Sequence, residues 1–170
     1  MIRALIGLGN PGKHYDGTRH NIGYAVVAHF LGELDSKSLP GDGLGRYWRV
    51  WSQLRLLTVC CPITYMNRSG AAVAALLDRQ AIVPAEMLVV SDDINLPLGS
   101  VRLRKSGSDG GHNGLASIIE ELETESFPRL RLGIGQPADR DLSGTDFVLG
   151  QFDSSETEII EKTIARASKA

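Results

Sequence analysis

Residues 4–23 read Ala4-Leu5-Ile6-Gly7-Leu8-Gly9-Asn10-Pro11-Gly12-Lys13-His14-Tyr15-Asp16-Gly17-Thr18-Arg19-His20-Asn21-Ile22-Gly23. The apolar run at their start, within residues 2–8, is short and is closed by a Gly-Asn-Pro turn. Such a run reads as a strand buried on both faces, the kind that sits centrally in a parallel sheet covered by helices. The loop that follows delivers Asn10, Tyr15, Arg19 and His20. Polar groups gathered just past the C-terminal end of a central strand lie where open α/β sheets build their sites.

The same stretch contains Gly7-Leu8-Gly9-Asn10-Pro11-Gly12, which satisfies the G-x-G-x-x-G spacing of dinucleotide-binding turns. In those turns a helix opens within the glycines, and its N-terminus meets the pyrophosphate. Here Pro11-Gly12 interrupts, residues 13–18 have no apolar helical period, and the next helical pattern starts near Asn21. No nucleotide is expected on this loop, and no cofactor is expected elsewhere.

Working outward, Ile22, Ala25, Val26, Phe30 and Leu34 fall at helical spacing, which predicts a helix over 21–34 with Asn21 as N-cap. Residues 35–45 are polar and glycine-rich and read as a surface loop. Residues 46–52 and 54–61 read as a hairpin, whose Tyr47, Trp48 and Trp51 suit base stacking but are weighted toward core packing by their β-propensity. Further strands are predicted within 87–91, 100–104 and 127–137, and helices over 71–77, 116–122 and 154–169, the last capped by Ser154 or Ser155. Residues 138–145 read as a polar loop. Strands and helices alternate apart from the one hairpin, so the fold class is α/β. We expect a three-layer sandwich with a twisted, mixed and mostly parallel central sheet, in a single domain over residues 1–170.

At 170 residues the chain can bury one proper core. A net charge of -2 gives no global attraction to nucleic acid, so any RNA binding must come from a local patch. The two cysteines, Cys60 and Cys61, are adjacent at the end of an apolar strand. Neighbouring cysteines rarely bridge without strain and metal sites want spaced ligands, so buried, reduced thiols are expected, as in a reducing cytosol. No signal-like leader or bilayer-length apolar run occurs, so the chain is expected to be soluble and cytoplasmic, with no membrane partner.

Three other junctions carry polar groups. Tyr65-Met66-Asn67 lies between Pro62, which ends a strand, and the 71–77 helix; Asn67 in isolation reads as a cap. Asp92-Asp93 ends the 87–91 strand, and paired aspartates there can hold a metal, orient a histidine or cap a turn. Gly110-Gly111-His112-Asn113-Gly114-Leu115 opens onto the 116–122 helix just after Arg102, Arg104 and Lys105, a combination of exposed amides and cations suited to an anion.

Taken together, several separated motifs resemble the bacterial peptidyl-tRNA hydrolase family over roughly residues 2–160. They are Gly-Leu-Gly-Asn-Pro-Gly with Tyr15 and Thr18-Arg19-His20-Asn21-Ile22-Gly23, Tyr65-Met66-Asn67-Arg68-Ser69-Gly70, Asp92 with Leu96-Pro97, the 110–115 run, and Phe147-Val148-Leu149-Gly150. The resemblance implies an enzyme that cleaves the ester joining a peptide, or an N-blocked amino acid, to the 3′ ribose of tRNA. It implies peptidyl-tRNA as partner, a monomer, and no metal. Carried over by position, it makes His20 the catalytic base and Asp92 its partner, with Asn10 beside them. Asn10, Met66, Asn67 and Asn113 would hold the peptide and the 3′ end, and Tyr15, Tyr65 and His112 would lie along the cleft. Arg102, Arg104, Lys105, Arg131 and Arg140 would grip tRNA phosphates. The sequence departs from the family at Asn95, where an acidic residue is commoner. Family members usually continue through another helical stretch, so the C-terminal helical end is expected to be short by comparison.

Metal-free ester hydrolysis needs a base that titrates near neutral pH, a group that fixes its tautomer, and donors where negative charge develops. His20, Asp92 and the asparagine amides supply those types. No G-x-S-x-G occurs, so attack by a water activated by His20 is the expected chemistry. A zinc site from His20, His112 and Asp92 lacks H-E-x-x-H spacing and is not expected. Plant relatives of this fold bind RNA as splicing cofactors without catalysis; the presence of His20, Asp92, Asn10 and Asn113 together favours the enzyme.

Overall fold

In the computed structural model, which describes residues 1–52, 55–137 and 143–170, the opening apolar run forms strand β1 (Ala4–Gly7), every residue of it buried. The other strands are β2 (Ser36–Leu39), β3 (Gly45–Ser52), β4 (Arg55–Pro62), β5 (Met87–Asp93), β6 (Val101–Arg104) and β7 (Arg129–Gly133). They form one seven-stranded sheet in the order β2-β3-β4-β1-β5-β7-β6. β1 pairs in parallel with β4 and β5, and β5 with β7, while β3 is antiparallel to both β2 and β4, and β6 to β7. β2, β4, β1, β5 and β7 therefore share one direction, and β3 and β6 run against it.

Strand alternation sends successive side chains to opposite faces, and both faces are covered. Ala4 and Ile6 join the cluster under helices α2 (Ser69–Gln80) and α3 (Asn113–Leu122), with Val73, Leu76, Leu115 and Ile118. Leu5 joins the opposite cluster, with Val26 and Val27 of α1 (Ile22–Gly32), Phe147 of α4 (Gly144–Leu149) and Ile160 of α5 (Thr157–Ala167). The result is helix, sheet, helix. Cys60 and Cys61 fall in different clusters, both free and buried. Burial raises both thiols, Cys61 to about 12, so they are inert packing groups.

A close backbone approach fixes where the first loop goes. A side chain at Gly7 would lie 2.6 Å from the Gly23 carbonyl oxygen, and one at Gly23 would lie 2.5 Å from that of Leu8. Only glycines let α1 press this tightly on β1, and that contact draws the turn before α1 to the C-terminal end of the strand.

Several expectations are corrected. Part of the predicted 35–45 loop is strand β2, which has no buried face and forms by backbone pairing to β3, a contact without a hydrophobic signature. The predicted 138–145 loop gives way at Gly144 to α4, capped by the Ser143 hydroxyl, which accepts from the Asp146 N–H. Helix α3 starts at Asn113 because the preceding His112 caps it. Neither Ser154 nor Ser155 caps α5, whose N-cap is Glu156. Of the hairpin aromatics, Tyr47 joins the cluster under α2 and α3, Trp48 packs against the opposite cluster and Trp51 is 66% exposed.

Candidate active site

The C-terminal ends of β1 and β5, the turn before α1 and the N-terminus of α3 carry Asn10, His20, Asp92 and His112, all at or below 9% exposure. Buried polar groups are stable only when paired, and these are. His20 Nδ1 lies 2.8 Å from Asp92 Oδ1, and His112 Nε2 lies 3.0 Å from the same oxygen. The two rings are 4.8 Å apart, centre to centre.

An ionised carboxylate only accepts, so both of these nitrogens carry protons. For His112 a second constraint agrees: its Nδ1 accepts the N–H groups of Gly114 and Leu115 at 3.1 and 3.2 Å, as the cap of α3. Both nitrogens of His112 are thereby committed. His20 differs: its Nε2 has no protein partner among the described residues, and the residue lines a cavity of about 260 Å³. That cavity is also lined by Asp92, Asp93, His112, Asn113 and Arg131, and by Gly144, Thr145 and Val148 of α4. Burial by itself would raise the Asp92 carboxyl, but His112 and then His20 outweigh it and hold Asp92 well below the usual carboxylate range.

Asn10 is locked by a residue the sequence had suggested only as a helix cap. Its N–H donates to Asn21 Oδ1 at 2.8 Å and its carbonyl accepts from Asn21 Nδ2 at 3.0 Å, while Asn21 makes no side-chain cap bond to α1. Asn10 Oδ1 accepts the Met66 N–H at 2.8 Å. The Asn10 oxygen is thus committed, and its NH₂ group has no protein partner among the described residues. Met66 is buried beside His112 and Gly114: a side chain at Gly114 would lie 2.6 Å from Met66 Sδ and 3.0 Å from His112 Cε1.

Among the described residues, His20, Asp92 and His112 are the group able to hold a metal, with one ligand atom each, all within 4.8 Å of one another. Their types suit a divalent ion. Two ring protons already fill the space between them, so a cation would have to displace both.

The protein-family model described as peptidyl-tRNA hydrolase matches residues 4–170. The chain belongs to the peptidyl-tRNA hydrolase family. It is 41% identical to the peptidyl-tRNA hydrolase of Hydrogenobaculum sp. over 99% of this chain and 88% of that one, and 45% identical to that of Sulfurihydrogenibium sp. with the same shares. The crystal structure of peptidyl-tRNA hydrolase from Acinetobacter baumannii superposes with a TM-score of 0.92 at 32% identity, covering 99% of this chain and 85% of that one. No helix among the described residues is long and apolar enough to cross a membrane.

For a member of this family the expected site residues are only partly gathered. Asn10, His20, Met66, Asp92, His112 and Asn113 lie around the cluster or its cavity. Tyr15 is half-buried, Tyr65 and Asn67 are exposed, and none of these three lines the cavity. Arg102, Arg104 and Lys105 are exposed on or just after the edge strand β6. Arg102 stands opposite Arg131, and Arg104 opposite Arg129, across the β6–β7 pair. Cross-strand neighbours share a face, so four arginines crowd one side of the sheet edge. Two are engaged internally: Arg131 pairs with Asp93, and the buried Arg129 donates to the carbonyls of Ser108 and Glu125. Arg140 lies outside the described residues. Asn95 donates its N–H to Asp93 Oδ1, so it shapes the turn that presents that carboxylate.

Sequence reading missed the roles of Asn21, Arg19, Asp93 and Glu156. Arg19 and Asn21 flank His20 and could have been marked by that adjacency. Glu156, 137 residues from its partner Arg19, carries no local signal.

Proposed function

We propose that this chain hydrolyses the ester between a peptide or N-blocked amino acid and the 3′ ribose of tRNA, with His20 as general base toward water. The observation that carries the reading is the His20 ring itself, a lining residue of the cavity, held through Nδ1 by an ionised, buried Asp92 with Nε2 left without a partner among the described residues. Nε2 accepts a proton from water as the water oxygen bonds to the ester carbonyl carbon. The resulting oxyanion is met by amide donors, for which the NH₂ groups of Asn10 and Asn113 are the candidates. Collapse breaks the bond to the 3′ oxygen, which takes the proton back from His20 and leaves as the ribose hydroxyl. Asp92 stabilises the transient imidazolium and fixes the tautomer throughout.

Around this centre, Met66 and His112 support the acyl side of the cleft, with Tyr15, Tyr65 and Asn67 along its approach. Arg102, Arg104, Lys105 and Arg131, with Arg140, contact phosphates, which positions tRNA without reading its sequence. The chain works as one catalytic domain, as a monomer in the cytoplasm, and its reaction routes through no metal or cofactor.

The deciding assay incubates the purified protein with an N-acetylated aminoacyl-tRNA and with its unblocked counterpart, each with and without a chelator. Release of the blocked amino acid alone, unaffected by chelator, is expected. Binding of tRNA without any release would overturn the reading in favour of an RNA-binding role, and loss of release with chelator would overturn the metal-free step.

A further inference from the structure

Arg19 directly precedes His20, and the proposed reaction gives it no task. Its side chain is only 6% exposed, and its guanidinium is paired. Nη1 and Nη2 donate to Glu156 Oε1 and Oε2 at 3.1 and 2.7 Å, a two-pronged contact, and Nη1 reaches the Ile134 carbonyl at 3.4 Å. The guanidinium carbon lies 4.4 Å from the centre of the Phe147 ring and 4.7 Å from that of Phe152. Backbone contacts join the same two segments: the Arg19 N–H donates to the Gly150 carbonyl at 2.9 Å, and Thr18 bridges to Gln151. Glu156 is itself fixed, since its Oε2 accepts the Asp153 N–H at 2.8 Å. The hydrogen bonds from Arg19 hold the Glu156 carboxyl below its ordinary range, so the pair is ionised.

The segment gripped in this way includes α4, and α4 supplies Gly144, Thr145 and Val148 to the cavity that contains His20. We propose that Arg19 is a positioning residue that clamps the α4 wall to the turn bearing His20, keeping base and wall at a fixed separation while water attacks. This inference rests on the reading of His20 as the base. A planar fork is needed both to meet the carboxylate with two parallel bonds and to lie against two rings; a lysine ammonium can do neither. The exposed cations Arg102 and Arg104 sit on β6, in a different part of the chain from the clamp, so their contacts with RNA should not sense its loss. A shift of about 1 Å in a catalytic group can cost on the order of 10²-fold in rate.

The test measures kcat and KM for an N-acetylated aminoacyl-tRNA in Arg19→Lys, Glu156→Gln and the double variant, well below each variant's Tm. Each single change is expected to lower kcat by roughly 10-fold or more, with KM within about 2-fold, and the double variant should be no worse than the weaker single. Should Arg19→Lys fail to fold, Glu156→Gln together with Phe152→Leu carries the same comparison. Unchanged kcat in folded variants, a rise in KM alone, or losses that simply multiply in the double variant would overturn the clamp. A wild-type protein that releases nothing would instead overturn the reading of the site, so the two failures are distinguishable.

Discussion

Two loops each deliver an imidazole to the same carboxylate oxygen, and they leave those imidazoles with different capacities. The loop after β1 holds His20 by one ring nitrogen, 2.8 Å from Asp92, and leaves the other without a partner among the described residues. The loop before α3 holds His112 by both, with Nε2 on Asp92 and Nδ1 spent on two backbone N–H groups of the helix it caps. Residue type is identical in the two loops; the number of free lone pairs is not. In the proposed reaction the base is therefore chosen by the backbone around each ring, since an imidazole whose lone pair already accepts two N–H groups cannot take a proton from water.

The sharpest way to break this comparison is to exchange the consequences. His20→Ala is expected to lower kcat by on the order of 10³-fold with little change in tRNA affinity, as removal of a general base does. A loss of similar size in His112→Ala, with His20→Ala nearly active, would reverse the assignment. Asp92→Asn comes next, at on the order of 10²-fold in kcat, because an amide in that place can no longer enforce one tautomer on both rings.

The same variant sharpens the account through stability. The folded state depresses the Asp92 carboxyl below its unfolded value, so its contribution is present above about pH 4 and is lost as pH falls through the lower folded value. Melting temperatures of the wild type should therefore fall more steeply than those of Asp92→Asn as pH is taken from about 5 to 2. Parallel curves would show that the carboxylate is not held in the ionised form by its two imidazoles.

His112 should show a mixed effect. His112→Ala is expected to cost about 1 kcal/mol of stability through the lost cap and roughly 10-fold in kcat. His112→Ser restores a capping oxygen but not the contact to Asp92, so it should recover the stability and leave kcat low. Recovery of both would reduce His112 to a helix cap. The smallest effect belongs to the exposed edge: Arg104→Ala should weaken tRNA binding uniformly and lower the salt slope by about 1, with kcat unchanged.

Much of this molecule was legible in one dimension because the signals are local. A run such as residues 2–8 can be satisfied only by a strand covered on both faces, and the motif from Gly7 to Gly23 announced a strand end loaded with polar groups. The helices over 21–34 and 71–77 were visible in their spacing, although their ends moved by a few residues. Strand β2 has no sequence signal because it is held mainly by backbone pairing, with Leu39 its single apolar residue against the core and Ser36, Lys37 and Ser38 offering no buried face. Helix α4 has no helical signature in the sequence, since its first two residues fall in the predicted 138–145 loop and its buried anchor is the single Phe147.

The sequence by itself determined which residue types would stand at the strand ends, since burial patterns and turn residues act within a few positions of each other. Only the tertiary structure decided their division of labour. Whether Asn21 caps a helix or locks Asn10, whether Arg131 is open or paired with Asp93, and that Arg19 meets a carboxylate far along the chain are set by distances no local pattern encodes. The choice between two histidines is of the same kind. It depends on which ring nitrogen a folded backbone has already claimed, and hydrogen-bond partners across 20 and 72 positions exist only once the sheet has brought them together.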